Sequence, residues 1–511
     1  MGEIDIMNNC FSFRLKSLEI IGHPVLQDIN IQFCDDDNLS DSFYTTCVIG
    51  PNGTGKSHLV SAIAMVFTDI NRILNHEKRR TGYNFIVKYY LYGDLYCISS
   101  IRKFGRFSYY EVSESHFDYL YAEKNGNRIN LDDLFLPNRI IASTMTTTDK
   151  FLAKTDNFYR YRGIRNESSV STTGTRTIIR KTVSSLIECI SSKNTFHDEL
   201  RLLLNKLGLE EHLFISYGMR YKDIFLYPDI TSDQIRHIFN NWSEYFTSRN
   251  TPPWGYQNFI NTIQYDSIAL EATAHFLSKK AVNNRHSWSV VKYDLMDNPT
   301  EFQNDALAIK TLTQLDLLSF PSISVVKNGS YFGMDNSSSG ETHLLCQFVG
   351  IMSDIQNESL ILIDEPENSS HPDWQMNYIG WLKEIFRDYS NCHFIIATHS
   401  PLILANLKAS ESTIVRLSRD SMNSISDEGG MRNGCYSWTV DEILKEVMKM
   451  KSTHTKEYNI AMSEFECALY EEDGNKALKA FNQLKSMIRP ENELLELLTI
   501  QMIGLNYTEN D

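Results

Sequence analysis

The chain has 511 residues, 42% hydrophobic and 22% charged. That is more than one hydrophobic core usually serves, so two or three packed globular units are expected. Its 49 basic and 64 acidic residues leave a net charge of −15, which argues against a protein that coats nucleic acid through its overall field. Nine cysteines scattered without a C-x-x-C pair speak for reduced thiols, not for a disulfide frame or a zinc site. The opening MGEIDIMNN does not read as a secretory leader, and no run of about 18 apolar residues would span a membrane; a cytoplasmic protein is expected.

In chain order, Leu18-Ile20 and Ile29-Ile31-Phe33 alternate as strands. The apolar run Cys47-Val48-Ile49 then leads into Gly50-Pro51-Asn52-Gly53-Thr54-Gly55-Lys56-Ser57, followed by the helical pattern Leu59-Val60-Ala62-Ile63-Val66. Strand, glycine-rich loop and helix in that order are the context of a phosphate-binding loop. The glycines let backbone N–H groups face phosphate oxygens at a helix start, where the partial positive charge lies. Lys56 reaches the β- and γ-phosphates, and the Ser57 hydroxyl ligates Mg²⁺. Asn52, Gly53, Thr54, Gly55, Lys56 and Ser57 are therefore candidate nucleotide-binding residues.

Residues 84–113 offer three tyrosine-rich strands broken at Gly93 and Gly105. From 152 to 318 the patterns are mostly helical, as in Val183-Leu186-Ile187-Ile190 and Leu200-Leu202-Leu203-Leu207. Pro252-Pro253-Trp254-Gly255 breaks that segment. At its start Tyr159-Arg160-Tyr161-Arg162-Gly163-Ile164-Arg165 interleaves aromatics with arginines, with Arg176, Arg180 and Lys181 beyond. Such a pattern suits base stacking and phosphate neutralisation, so Arg160, Arg162 and Arg165 are candidate nucleic-acid contacts. The competing reading is a solvated face or a contact with an acidic surface.

Ser322-Ile323-Ser324-Val325-Val326 reads as a strand. Asn336-Ser337-Ser338-Ser339-Gly340-Glu341 then opens a helix with small residues and backbone donors, suited to a second phosphate or to a plain N-cap. Leu360-Ile361-Leu362-Ile363-Asp364-Glu365-Pro366 reads as a buried parallel strand with carboxylates at its carboxyl end, where open α/β sheets place ligands. Asp364 is a candidate metal residue beside Ser57, and Glu365 a candidate for orienting or deprotonating the attacking water. A third strand, His393-Phe394-Ile395-Ile396-Ala397-Thr398, ends at His399, placed to bond a γ-phosphate or the water. Cys392-His393 reads as core. The tail is helical: Val440-Ile443-Leu444-Val447-Met448, Leu478-Phe481-Leu484-Ile488 and Leu494-Leu495-Leu497-Leu498.

In this order the motifs resemble ABC-type ATPases, whose Leu-Ser-Gly-Gly-Gln signature becomes Ser337-Ser338-Ser339-Gly340-Glu341 here. The resemblance implies an α/β ABC-type ATPase head, a P-loop parallel core sheet plus antiparallel β lobe. To it would be joined a large mainly helical insertion and a helical C-terminal tail. Expected bounds are residues 1–151 for the first half of the head, 152–318 for the insertion, 319–420 for the second half and 421–511 for the tail. It also implies ATP with Mg²⁺ sandwiched in a head-to-head dimer or higher oligomer, with Ser338, Ser339, Gly340 and Glu341 serving the opposite protomer. Transporter domains space the motifs more closely than the 307 positions between Ser57 and Asp364. SMC-type proteins separate them by heptad coiled coils, and no such series stands between 151 and 330.

Asp364-Glu365-Pro366-Glu367-Asn368-Ser369-Ser370-His371-Pro372 and Pro137-Asn138-Arg139-Ile140-Ile141-Ala142-Ser143 with Asp149-Lys150-Phe151 resemble OLD-type and PtuA-like heads. The latter segment lacks the ABC glutamine, leaving Ser143 or Asp149 as stand-ins. Trp438-Thr439-Val440-Asp441-Glu442-Ile443-Leu444 resembles the start of the PtuA-like C-terminal region. The tail shows no paired aspartates of a TOPRIM nuclease. The PtuA-like resemblance implies an ATPase of Septu or retron-associated phage defence that controls a separate nuclease, typically of HNH type, with a reverse transcriptase and retron nucleic acid as further partners. Alternatives are a RecF-like repair ATPase acting directly on DNA, or a non-hydrolysing scaffold that ATP assembles.

Overall fold

The computed structural model describes residues 13–504 apart from 35–42, 79, 102–118, 166–174, 194, 247–250, 254, 284–288, 298, 320, 335, 420–424, 428–433, 451, 453 and 490–491. Gly105 and Trp254 lie outside the described residues, as does the Arg176 side chain. The described chain divides into two compact units, residues 1–437 and 438–511.

The first unit is built on three sheets. An antiparallel lobe takes the order β2-β1-β4-β5-β6-β7. Its strands are β1 (Arg14–His23), β2 (Gln27–Gln32), β4 (Asn84–Leu91), β5 (Asp94–Ile101), β6 (Tyr119–Lys124) and β7 (Asn127–Arg128). The core sheet has the order β17-β16-β3-β15-β14-β8-β9. It comprises β3 (Tyr44–Ile49), β8 (Arg139–Thr144), β9 (Tyr159–Arg162), β14 (Ser359–Asp364), β15 (His393–Ala397), β16 (Ser412–Arg419) and β17 (Ile425–Asp427). All its pairings are parallel except β16 with β17. Every residue of β3, β14 and β15 is buried, which is why these segments read as continuous apolar runs and not as alternating ones. The third sheet, β11-β10-β12-β13, is antiparallel. It joins β10 (Leu213–Gly218) and β11 (Ser289–Asp294) to β12 (Ser322–Lys327) and β13 (Ser330–Gly333).

The segment 152–318 is thus rich in helix but also supplies β9, β10 and β11. β9 extends the core sheet beside β8. Its sequence Tyr-Arg-Tyr-Arg has a period of two, with both tyrosines buried and both arginines half-buried. That is a sheet-edge pattern, and it decides the fate of the basic stretch.

Helix α1 (Lys56–Leu74) follows β3 and is apolar on most of its surface. Leu59, Ile63, Val66 and Phe67 pack in one core with Val87 and Tyr89 of β4 and Ile395 of β15, so the lobe and the core sheet share α1 as filling. Helix α2 (Thr175–Ser192) belongs to the inserted segment. Helix α3 (Ser339–Asp354) precedes β14, and α4 (Pro372–Ile385) leads to β15. His393 sits wholly within the core: its Nδ1 accepts the Leu15 N–H at 3.1 Å, and its Nε2 lies 2.9 Å from Thr46 Oγ1. The core reading of Cys392-His393 is therefore correct.

The second unit is helical. A short turn over Val440–Glu442 runs into a π-helical Ile443–Val447. Helices α5 (Lys456–Tyr470), α6 (Gly474–Met487) and α7 (Glu493–Gly504) follow. Phe465, Phe481, Leu484, Leu498 and Met502 make their core. Helix α5 has no counterpart in the sequence reading, because only Ala461, Phe465 and Ala468 of it are buried. Two alanines and one phenylalanine leave a faint apolar stripe. No described helix is long and apolar enough to cross a membrane.

Candidate nucleotide site

The loop 50–55 carries the chain from the carboxyl end of β3 into α1. Gly55 caps the helix at a left-handed φ of 89°. A Cβ there would stand 2.7 Å from Leu26 Cδ2, and one on Gly50 would stand 2.3 Å from the Leu417 carbonyl oxygen. Neither position accepts a side chain, so the glycines are demanded by the close approach of the lobe and of β16. Thr54 turns its hydroxyl onto the Pro51 carbonyl at 2.8 Å and braces the loop. Lys56 Nζ donates to the carbonyls of Gly50 (2.7 Å) and Pro51 (3.1 Å). Burial lowers the Lys56 ammonium to about 8, opposed by the nearby Glu365, Glu367 and Asp364.

Parallel pairing brings β14 next but one to β3, with β15 between them. That register lets residues 307 positions apart touch: Ser57 Oγ donates to Asp364 Oδ1 at 3.1 Å. Asp364 is 2% exposed. Burial pushes its carboxyl up to about 7; the Ser57 hydrogen bond opposes this, and the charges of Glu365, Asp149 and Glu367 add to it. Glu365 follows with a left-handed φ of 51°, a conformation that costs a residue with a Cβ about 1–2 kcal/mol. Its N–H is fixed on the Ala397 carbonyl at 2.9 Å. Such strain is typical of functional turns. His399 leaves the end of β15 with Nε2 3.9 Å from Glu365 Oε1. Burial, then the Lys56 charge, lowers its imidazole below the ordinary histidine value.

Asn52, Gly53, Gly55, Lys56, Ser57, Glu365 and His399 line one open cavity of about 630 Å³. Glu367, Asn368, His58 and Lys150 also line it and were not singled out from sequence. Glu367 accepts the His399 N–H, but nothing in its local sequence marks a carboxylate three residues beyond a strand as reaching a neighbouring strand's end.

A nucleotide with Mg²⁺ fits this chemistry. The start of a helix and two lysines, Lys56 and Lys150, line the cavity. The buried Asp364 touches a hydroxyl of the type that ligates Mg²⁺, and the Lys56 ammonium stands close to the three acids Asp364, Glu365 and Glu367.

Ser338, Ser339, Gly340 and Glu341 stand elsewhere. Ser338 caps α3 through a reciprocal pair with Glu341, and Glu341 also holds Lys327 at 2.9 Å. A Cβ on Gly340 would lie 2.3 Å from the Ser369 carbonyl oxygen, so the turn packs tightly on the loop after β14. His371 caps α4 by accepting the Asp373 N–H at 3.3 Å. Of the two stand-ins for the glutamine, Asp149 is occupied by Arg165 at 2.7 Å and by the Tyr161 hydroxyl at 2.9 Å. Ser143 lies within the core sheet. The cavity is instead lined by the next residue, Lys150.

The basic stretch needs correction. Arg162 binds Asp354 at 2.5 Å and Glu188 at 3.0 Å, Arg160 lies 3.4 Å from Asp354, and Arg165 is held by Asp149. Tyr159 and Tyr161 are 1% and 4% exposed, so neither can stack on a base. The interleaving comes from strand alternation and internal ion pairing.

Residues 159–405 match the family model described as "AAA domain, putative AbiEii toxin, Type IV TA system". Septu protein PtuA of Bacillus thuringiensis is 34% identical over 145 residues, 28% of this chain and 36% of that protein. Retron Vc95 probable ATPase of Vibrio cholerae serotype O1 biovar El Tor is 28% identical over 184 residues, 29% of this chain and 34% of that protein. The chain thus spans about a third of the length of these curated relatives. Among solved structures, the SMC head domain from Thermotoga maritima aligns over 81% of this chain and 98% of its own, at 12% identity and a TM-score of 0.34. The P-loop helix and the strands leading to Glu365 and His399 meet at one cavity, and over 28% of its length this chain is similar to Septu protein PtuA.

Proposed function

We propose that this chain binds and hydrolyses ATP with Mg²⁺ between two copies of its head, and so controls a separate nuclease in cytoplasmic anti-phage defence. The observation that carries the reading is the convergence of Lys56, Ser57, Glu365 and His399 on one cavity, with Asp364 bonded to Ser57. Lys56 and the loop N–H groups bind the phosphates, at a helix start that favours anions. Ser57 and Asp364 hold Mg²⁺, which when bound neutralises charge on the phosphate oxygens. Glu365 takes a proton from the attacking water, and His399 orients that water or the γ-phosphate. Ser338 to Glu341 of one copy complete the site of the other.

The partner nuclease, of HNH type, is the finer part of the reading and follows the likeness to PtuA. Residues 421–511 are the proposed docking region: Leu497, Ile500 and Ile503 of α7 are each more than half exposed.

The test is hydrolysis of labelled ATP by the full chain with Mg²⁺. Glu365→Gln is expected to slow turnover by about 10²–10⁴-fold while ATP binding persists, since the amide keeps the shape and loses the base. Normal turnover in that variant would remove Glu365 from the mechanism. Co-expression with an HNH nuclease encoded beside it, followed by a nicking assay with and without ATP, tests the control.

A further inference from the structure

We propose that Glu367 is a positioning residue: by holding the backbone at the end of β15, it sets where the His399 imidazole stands in the cavity. Glu367 Oε1 accepts the His399 N–H at 2.5 Å, and its other carboxylate oxygen is shut away from solvent. The carboxylate lines the same cavity as Glu365, Lys56 and His399. The loop beyond His399 has two further ties. The Ser400 N–H donates to Thr398 Oγ1 at 3.0 Å, and the Ser400 hydroxyl donates to Gln375 Oε1 of α4 at 2.6 Å. Glu367 and Gln375 thus reach from either end of the turn between β14 and α4 to two successive residues after β15.

Among the described residues the imidazole makes one weak contact, Nε2 to Glu365 Oε1 at 3.9 Å. Its place is therefore set through its backbone. A charge-assisted bond from a carboxylate to a backbone N–H is among the stronger ones available. Burial raises the affinity of the Glu367 carboxyl for its proton, and the bond to His399 opposes that rise. The contact is independent of any reading of function; its consequence for turnover rests on the ATPase reading.

The experiment compares Glu367→Ala, Glu367→Asp, Glu367→Gln, His399→Ala and the Glu367→Ala/His399→Ala double variant in the full chain. Steady-state ATP hydrolysis gives kcat and KM, and NMR gives the His399 titration, assigned by the resonance missing in His399→Ala. Glu367→Ala and the shorter Glu367→Asp are expected to lower kcat about tenfold or more with KM unchanged. Glu367→Gln keeps an acceptor oxygen and returns most of the rate. The double variant should be no slower than His399→Ala alone. The His399 midpoint, held low by burial and by Lys56, should rise toward the ordinary value in Glu367→Ala and Glu367→Asp but not in Glu367→Gln.

Wild-type kcat in Glu367→Asp, losses that multiply in the double variant, or an unmoved His399 midpoint would each overturn the proposal. If the unaltered chain hydrolyses no ATP, the ATPase reading falls and the titration alone decides the positioning. If Glu367→Ala does not fold, Glu367→Asp decides.

Discussion

Two buried aspartates, one closing α3 and one closing β14, are treated by the chain in opposite ways. Asp354, five residues ahead of the strand's start, is 1% exposed and stands among Arg139, Arg160 and Arg162 at 3.8, 3.4 and 2.5 Å. Asp364, at the strand's carboxyl end, is equally buried, but the charges pressing on it are those of Glu365, Asp149 and Glu367. A buried carboxylate ringed by guanidiniums is neutralised by its own chain and serves the fold. One crowded by other carboxylates has no such partner in those neighbours, and a cation from outside would stabilise it, as at a functional site.

Four changes would break or sharpen this contrast. The largest effect is expected at the open end: Lys56→Ala should weaken ATP binding by about two orders of magnitude, since it removes the charge proposed to meet the phosphates. Equilibrium binding of labelled ATP measures it, and retained affinity would detach the cavity from nucleotide. At the Asp354 end, Asp354→Ala removes the carboxylate that Arg139 and Arg160 share and one of the two that hold Arg162, and should lower unfolding stability by about 3–5 kcal/mol, read by denaturant titration. ATP affinity should persist in whatever remains folded.

Asp364→Asn should act in the other direction on stability. The raised carboxyl means that the folded chain binds a proton more tightly than the unfolded chain does. Stability is therefore lost as pH rises from the ordinary aspartate value, about 4, to about 7. Without nucleotide or Mg²⁺, the melting temperature of Asp364→Asn should exceed that of the unaltered chain by a margin that grows over this interval and levels off above it. A margin that is flat with pH would show that Asp364 is not under this strain. The smallest effect belongs to Arg160→Gln. Its side chain is 23% exposed and shares Asp354 with two other arginines, so a loss of about 1 kcal/mol or less is expected.

Much of the candidate site was legible before the fold. Gly50 to Ser57 declared its strand, turn and helix through spacing alone, and Leu360 to Asp364 declared a strand buried on both faces. The ends of those elements are where ligand chemistry gathers, so Lys56, Ser57, Asp364, Glu365 and His399 could be nominated from local pattern. The arginines of β9 show the limit of that method. Arg160, Arg162 and Arg165 look the same in sequence whether their charges face phosphates or carboxylates, and their counter-ions lie at Asp354, Glu188 and Asp149. Glu367 was visible as a letter in a motif, but its bond to His399 spans 32 positions. Helix α5 escaped because small alanines make a weak stripe.

The sequence by itself therefore determined which segments become strands and helices and which residue types stand at their ends, because backbone conformation answers to neighbours within a few positions. Only the tertiary structure decided which charges meet. The parallel register of β3, β15, β14 and β8 sets that pairing, and with it which carboxylates are neutralised inside the chain and which crowd together at the cavity.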